Sequence, residues 1–90
     1  MKLPINYNQL SRLQIREVRE EYIKKQNGLC YFCHSPLDKQ PFKDRVIHDN
    51  LFPTGFFNNP VHLHHSHDTG LTLGAVHCYC NAVLWEYFGE

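Results

Sequence analysis

Ninety residues with nine Lys/Arg, nine Asp/Glu and 42% hydrophobic content describe one domain, too short for two independent cores and too rich in aromatic residues to be disordered. A chain of this size buries only roughly 60–65% of the surface its unfolded form exposes, so it needs a staple, and its four cysteines are the first candidates. No window approaches the roughly 20 apolar residues of a membrane span, and the N-terminal segment MKLPINYNQLSR has no secretory apolar core. The expectation is a cytoplasmic protein without a membrane partner. The zero net charge hides a segregation: all nine Lys/Arg lie within residues 1–45 beside five acids, whereas 46–90 hold four acids and six of the seven histidines. A half suited to polyanions precedes a half suited to metal.

In chain order, residues 1–27 are read as a basic helical region. Ser11 and Gln14 form a capping box, and Leu10 with Ile15 occupy the positions of a hydrophobic staple, so a helix starts at about Arg12. Ile15, Val18 and Tyr22 are its buried stripe, Glu20–Lys24 and Glu21–Lys25 its i,i+4 pairs, and Asn27-Gly28 its stop after about Gln26. Arg12, Arg16 and Arg19 fall within roughly 60° of one another on the helix and form a basic ridge for phosphates; the alternative is a solvated face.

Residues 28–35 hold the knuckle Cys30-Tyr31-Phe32-Cys33. Residues 36–60 form a loop broken by Pro36, Pro41, Pro53, Pro60 and Gly55, with Arg45-Val46-Ile47-His48 its one expected short strand. Phe42, Phe52, Phe56 and Phe57 are expected to pack this loop; a homodimer contact or a wedge between DNA bases are the other uses for them. Within 61–88, Val61–His65 and Leu71–Val76 read as strands joined by a turn at Asp68-Thr69-Gly70. A last helix runs from about Tyr79 to Phe88, with Val83, Leu84, Tyr87 and Phe88 available for packing.

The C-x-x-C knuckle suits tetrahedral zinc, and His77 with Cys80 restores the same spacing at the second pair. The expected structural Zn²⁺ set is therefore Cys30, Cys33, His77 and Cys80, with Cys78 spare. Cys78 in place of His77 is the alternative set, and two disulfides are disfavoured by the absence of a secretion signal. One ion would clamp the end of the first helix to the start of the last.

The segment Val61-His62-Leu63-His64-His65-Ser66-His67-Asp68-Thr69-Gly70, followed by Gly74, His77, Cys80 and Asn81, resembles the His-Asn-His (HNH) nucleases. It is most similar to their phage recombination endonuclease VII group, with the signature Leu-Asp-His-x-His-x-Thr-Gly, a later Gly, and C-x-x-C-Asn. His64 stands where that group has a metal-binding Asp, as in the colicin-like branch, and Leu73 where it usually has Arg. The resemblance implies an α+β fold of the small ββα-metal type. It also implies a DNA endonuclease that leaves 5′-phosphate and 3′-OH ends, in the host cytoplasm if phage-encoded.

The residue types suit that chemistry independently. An imidazole with a pKa near its unperturbed value of about 6.5 can act as base at neutral pH, and phosphodiester hydrolysis needs a base, a cation and backbone anchors. His65 is expected to be the base, with His64 and Asn81 holding a catalytic divalent cation (Mg²⁺, Mn²⁺, Ni²⁺ or Zn²⁺). His67 is expected at the scissile phosphate or orienting the site, and His62 is a weaker candidate, the alternative being mere exposure. Adjacent strand residues face opposite ways, so His64 and His65 can share a site only if the strand is distorted. The competing expectation is a non-catalytic zinc-stapled module that binds nucleic acid or protein; a toxin-like nuclease is a third.

Overall fold

The computed structural model describes residues 2–89. Their order is a 3-10 turn at Tyr7–Gln9, helix α1 (Arg12–Lys25), a second 3-10 turn at Asp49–Leu51, strands β1 (Val61–His65) and β2 (Thr72–His77), and helix α2 (Cys78–Phe88). The result is a small α+β fold with one two-stranded antiparallel sheet flanked by two helices.

Both ends of α1 follow from local chemistry. The Gln14 backbone N–H donates to Ser11 Oγ at 3.2 Å, and the Ser11 N–H donates back to Gln14 Oε1 at 2.9 Å. At the other end Asn27 turns left-handed (φ 56°), Gly28 N–H reaches the Ile23 carbonyl at 2.8 Å, and Asn27 N–H the Lys24 carbonyl at 3.1 Å. That is a Schellman closure, with Asn in the position that demands positive φ. The helix buries Val18 and Tyr22 and half-buries Ile15 against the sheet. Its expected Glu20–Lys24 pair does not form: Glu20 faces Arg16 instead, at 3.6 Å.

The sheet is tied down on its outer edge by side chains and by the chain's N-terminal segment. Gln26 presents its amide as a mock strand to β2, with Nε2 donating to the Ala75 carbonyl (2.9 Å) and Oε1 accepting from Ala75 N–H (2.8 Å). Further along the same edge, Thr72 exchanges bonds with Ile5, and Tyr7 N–H donates to the Gly70 carbonyl at 2.8 Å. The outer edge of β2 is thereby consumed, which removes a site for pairing with other chains.

β2 runs directly into α2, so His77 ends the strand and is also the residue preceding the helix. The core comprises Val18, Tyr22, Leu37, Leu63, Ala75, Val76, Tyr79, Val83 and Leu84, together with Cys30 and Cys80. Tyr87 and Phe88, expected to be available for packing, are 43% and 50% exposed; Tyr87 bonds to Val46, Phe88 meets Phe32 edge-on, and the Arg45 guanidinium lies over both rings.

No strand forms at 45–48. Its backbone groups bond to side chains of α2 rather than to another strand: Tyr79 Oη accepts from Arg45 N–H at 2.9 Å and donates to the Arg45 carbonyl at 2.8 Å. Tyr87 Oη donates to the Val46 carbonyl at 2.5 Å, and His48 N–H donates to Glu86 Oε1 at 3.0 Å. A β-prone sequence thus becomes an extended strap across the helix. Phe52, Phe56 and Phe57 pack on one another as expected, with centroids 4.7–5.7 Å apart, while Phe42 is 86% exposed.

Candidate metal centre and histidine cleft

The first site begins at the C-x-x-C knuckle. A minute hairpin, with Cys30 N–H bonded to the Ser35 carbonyl and Leu37 N–H to the Gly28 carbonyl, folds residues 30–35 into a loop. Phe32 and Cys33 N–H then point at Cys30 Sγ from 3.4 and 3.5 Å. Tyr31 of this knuckle lies over Gly74 of β2, where an added Cβ would sit 2.7–2.8 Å from the Tyr31 side chain. Glycine is needed at 74 because the knuckle packs onto bare backbone.

Across from it, the β2–α2 junction supplies His77 and Cys80. The donor atoms of Cys30, Cys33, His77 and Cys80 all lie within 4.8 Å of one another, and these four residues could hold a metal ion. His77 Nδ1 is 3.4 Å from Cys33 Sγ and 3.6 Å from Cys80 Sγ, while its Nε2–H donates to the Pro36 carbonyl at 2.9 Å. That carbonyl fixes the tautomer and leaves the Nδ1 lone pair for the cluster, the arrangement by which metal-ligating histidines are oriented. Hydrogen bonding from Cys80 pushes the Cys30 thiol down to about 4, against the opposing effect of burial. Cys80 is pushed in the opposite direction, because it is the partner that keeps its proton. A thiolate is thus favoured in the cluster, and three sulfurs with one imidazole in a closed, largely buried corner fit structural zinc. Cys78 is outside the set; its N–H bonds to the Pro60 carbonyl. All four cysteines are free thiols, so disulfides do not staple the chain.

The second site is a cleft of about 520 Å³ between α1, β1, α2 and the Phe loop, lined by His62, His64, His65, His67, Asn81 and Arg19 among others. The sheet register makes this possible. Residues pair regularly from Val61↔His77 to His64↔Gly74, then His65 pairs with Thr72, leaving Leu73 opposite nothing. The irregularity lies between His64 and His65, and both line the cleft despite being sequence neighbours.

Within it, His64 is the most enclosed, at 2% exposure, with its ring 6.3 Å from that of Tyr31. His65 is half-buried; its ring stacks on Tyr7 at 3.9 Å and 5° and meets His67 edge-on at 5.2 Å. Burial first, then the positive potential of His67 and His64, hold the His65 pKa below the ordinary histidine value. His62, read from sequence as a weak surface candidate, is half-buried against Phe56 (4.7 Å), and desolvation lowers its pKa. Its Nδ1 accepts from Asn81 Nδ2 at 3.0 Å, which orients the amide and leaves Oδ1 for another partner. Sequence reasoning also missed Tyr7, since nothing in a residue 58 positions away marks it as the cover of His65.

Of the basic ridge, Arg19 alone lines the cleft; Arg12 is exposed away from it, and Arg16 is turned to Glu20. Unlike the cysteine corner, the β1 histidines do not converge: among the described residues, Cys30, Cys33, His77 and Cys80 are the only group of three or more His, Cys, Asp or Glu donors closing on one point. A larger cleft of about 690 Å³ lies beside the 37–49 segment and carries Lys39, Lys43 and Arg45, but none of the β1 histidines. No helix of the described residues is long and apolar enough to cross a membrane. Comparison with family models, curated proteins and solved structures gave no significant match.

Proposed function

We propose that the chain is a metal-dependent DNA endonuclease of the HNH type, stapled by zinc at Cys30, Cys33, His77 and Cys80. The observation that carries this reading is the single cleft lined by His64, His65, His67, Asn81 and Arg19, beside a sheet whose register is irregular between His64 and His65.

In the proposed reaction His65 takes a proton from the attacking water as its oxygen bonds to phosphorus. The P–O3′ bond breaks, and the 3′ oxygen takes its proton from solvent, giving 5′-phosphate and 3′-OH ends. A base must be neutral to act, and the lowered pKa keeps His65 so at physiological pH. Tyr7 holds the ring in plane, which spares the base a search among rotamers at the moment of reaction. In this reading His67, edge-on to His65, contacts the phosphate, and Arg19 anchors the backbone. A divalent cation held by His64 and Asn81 would supply the positive charge that stabilises the transition state and leaving oxygen. His62 contributes by orienting Asn81.

The reading as a non-catalytic binding module is favoured by one feature, the non-convergence of the β1 histidines. Conversion of supercoiled plasmid by the zinc-loaded protein decides between them. Cleavage that requires added Mg²⁺, Mn²⁺ or Ni²⁺ and falls about 10²–10⁴-fold in His65→Ala, with fold and zinc content retained, supports the enzyme. Absence of cleavage with every metal supports the module.

A further inference from the structure

The cleft has a wall that the proposed chemistry does not use. Phe52, Pro53, Phe56 and Trp85 line it together with the histidines. Their rings form a continuous series: Trp85 to Phe52 at 5.3 Å, Phe52 to Phe56 at 4.7 Å, and Phe56 to His62 at 4.7 Å. The series ends at the histidine that orients Asn81. Trp85 is nevertheless 43% exposed, although α2 is already anchored by buried Val83 and Leu84.

We propose that this wall is a stacking subsite for an unpaired nucleobase, so that the cleft takes a DNA strand with a base out of the duplex stack. The proposal rests on the nucleic-acid reading of the same cleft. A base inside a duplex has both faces covered by its neighbours and cannot offer one to Trp85, whereas an unpaired base can. Stacking on aromatic side chains is sequence-tolerant because every base has a π face, and such platforms work beside a cation that holds the adjoining phosphate. Arg19 lines the same cleft and fills that role. A volume of about 520 Å³ is within the usual range of small-ligand sites and suits a nucleotide rather than a length of duplex.

Trp85 is the sole tryptophan, so its emission reports the contact directly. The full zinc-loaded chain carrying His65→Ala, which should not cut the probes, is titrated with three DNAs of equal length: single-stranded oligothymidylate, a wholly abasic strand, and a blunt duplex. Oligothymidylate should quench Trp85, and the other two should bind without quenching. By anisotropy, Trp85→Ala should weaken oligothymidylate binding about 5- to 150-fold and leave the abasic strand unaffected, with Trp85→Phe recovering most of the loss. Equal quenching by the abasic strand or the duplex, unchanged affinity in Trp85→Ala, or failure of all three probes to bind would overturn the subsite. Selective quenching by a protein whose wild type cuts no DNA would instead overturn the nuclease reading and leave the subsite standing.

Discussion

The cysteine corner and the histidine cleft differ in how their donors are arranged. In the corner, four donors from two distant segments approach within 4.8 Å, enclosed by the knuckle's own N–H groups and the Pro36 carbonyl. In the cleft, rings stand side by side along one strand, His65 stacked on Tyr7 and His62 edge-on to Phe56, and open to a cavity. Structural metal sites are closed by protein ligands, whereas catalytic ones keep positions for water and substrate. A closed site is therefore complete in the protein's own geometry, and an open one is completed only by what it binds.

The largest test of this contrast is to break the corner. Cys30→Ala should abolish zinc binding and leave the chain largely unfolded at 25 °C, because metal-binding energy in such sites is folding energy and a domain of this size has little to spare. Cys78→Ser should keep both zinc content and melting temperature near wild type. Equal effects from the two substitutions, read by metal analysis and circular dichroism, would remove the distinction between ligand and bystander.

A smaller effect sharpens the cleft. Arg19→Ala should reduce the slope of log affinity against log salt by about 0.7, the value for one lost phosphate contact on single-stranded DNA, with Arg12→Ala and Arg16→Ala changing it less. Three equal reductions would restore the whole ridge as a phosphate track.

The smallest effect concerns the strap that carries the Phe wall. Glu86 accepts from His48 N–H and faces its ring at 2.8 Å, and these contacts hold its carboxyl below the ordinary 4.5. A depressed folded-state pKa contributes stability that is present above the unfolded value and is lost as pH falls through the folded one. Thermal melts of wild type should therefore show a modest extra loss below about pH 4.5. Glu86→Gln should start lower at pH 7 and lack that increment, and parallel melting curves for the two proteins would show that the contact contributes nothing.

How far these features can be read from sequence depends on the range of the interactions that make them. The capping box, the Asn27-Gly28 stop and the zinc spacing involve residues within a few positions of one another, or donors whose chemistry has few other uses, and each was legible. The strand expected at 45–48 failed because hydroxyls of Tyr79 and Tyr87 satisfy its backbone, a long-range arrangement that local β-propensity cannot reveal. The Gln26 clasp on Ala75, the Tyr7 cover on His65 and the unpaired Leu73 are likewise products of tertiary packing. The hydrogen bond between His62 and Asn81 is hidden for the same reason, since its partners lie nineteen residues apart.

The most direct test of the proposed division between the two sites is cleavage of supercoiled plasmid by protein holding one equivalent of zinc, as a second divalent cation is added, for wild type and His64→Ala in parallel. The division predicts no cleavage with the bound zinc alone, cleavage that rises with the added cation, and a higher concentration of that cation required by His64→Ala at unchanged zinc content, with a lower melting temperature because truncating a ring that is 2% exposed leaves a cavity. Cleavage that follows the zinc at Cys30, Cys33, His77 and Cys80, or identical cation requirements in the two proteins, would contradict it.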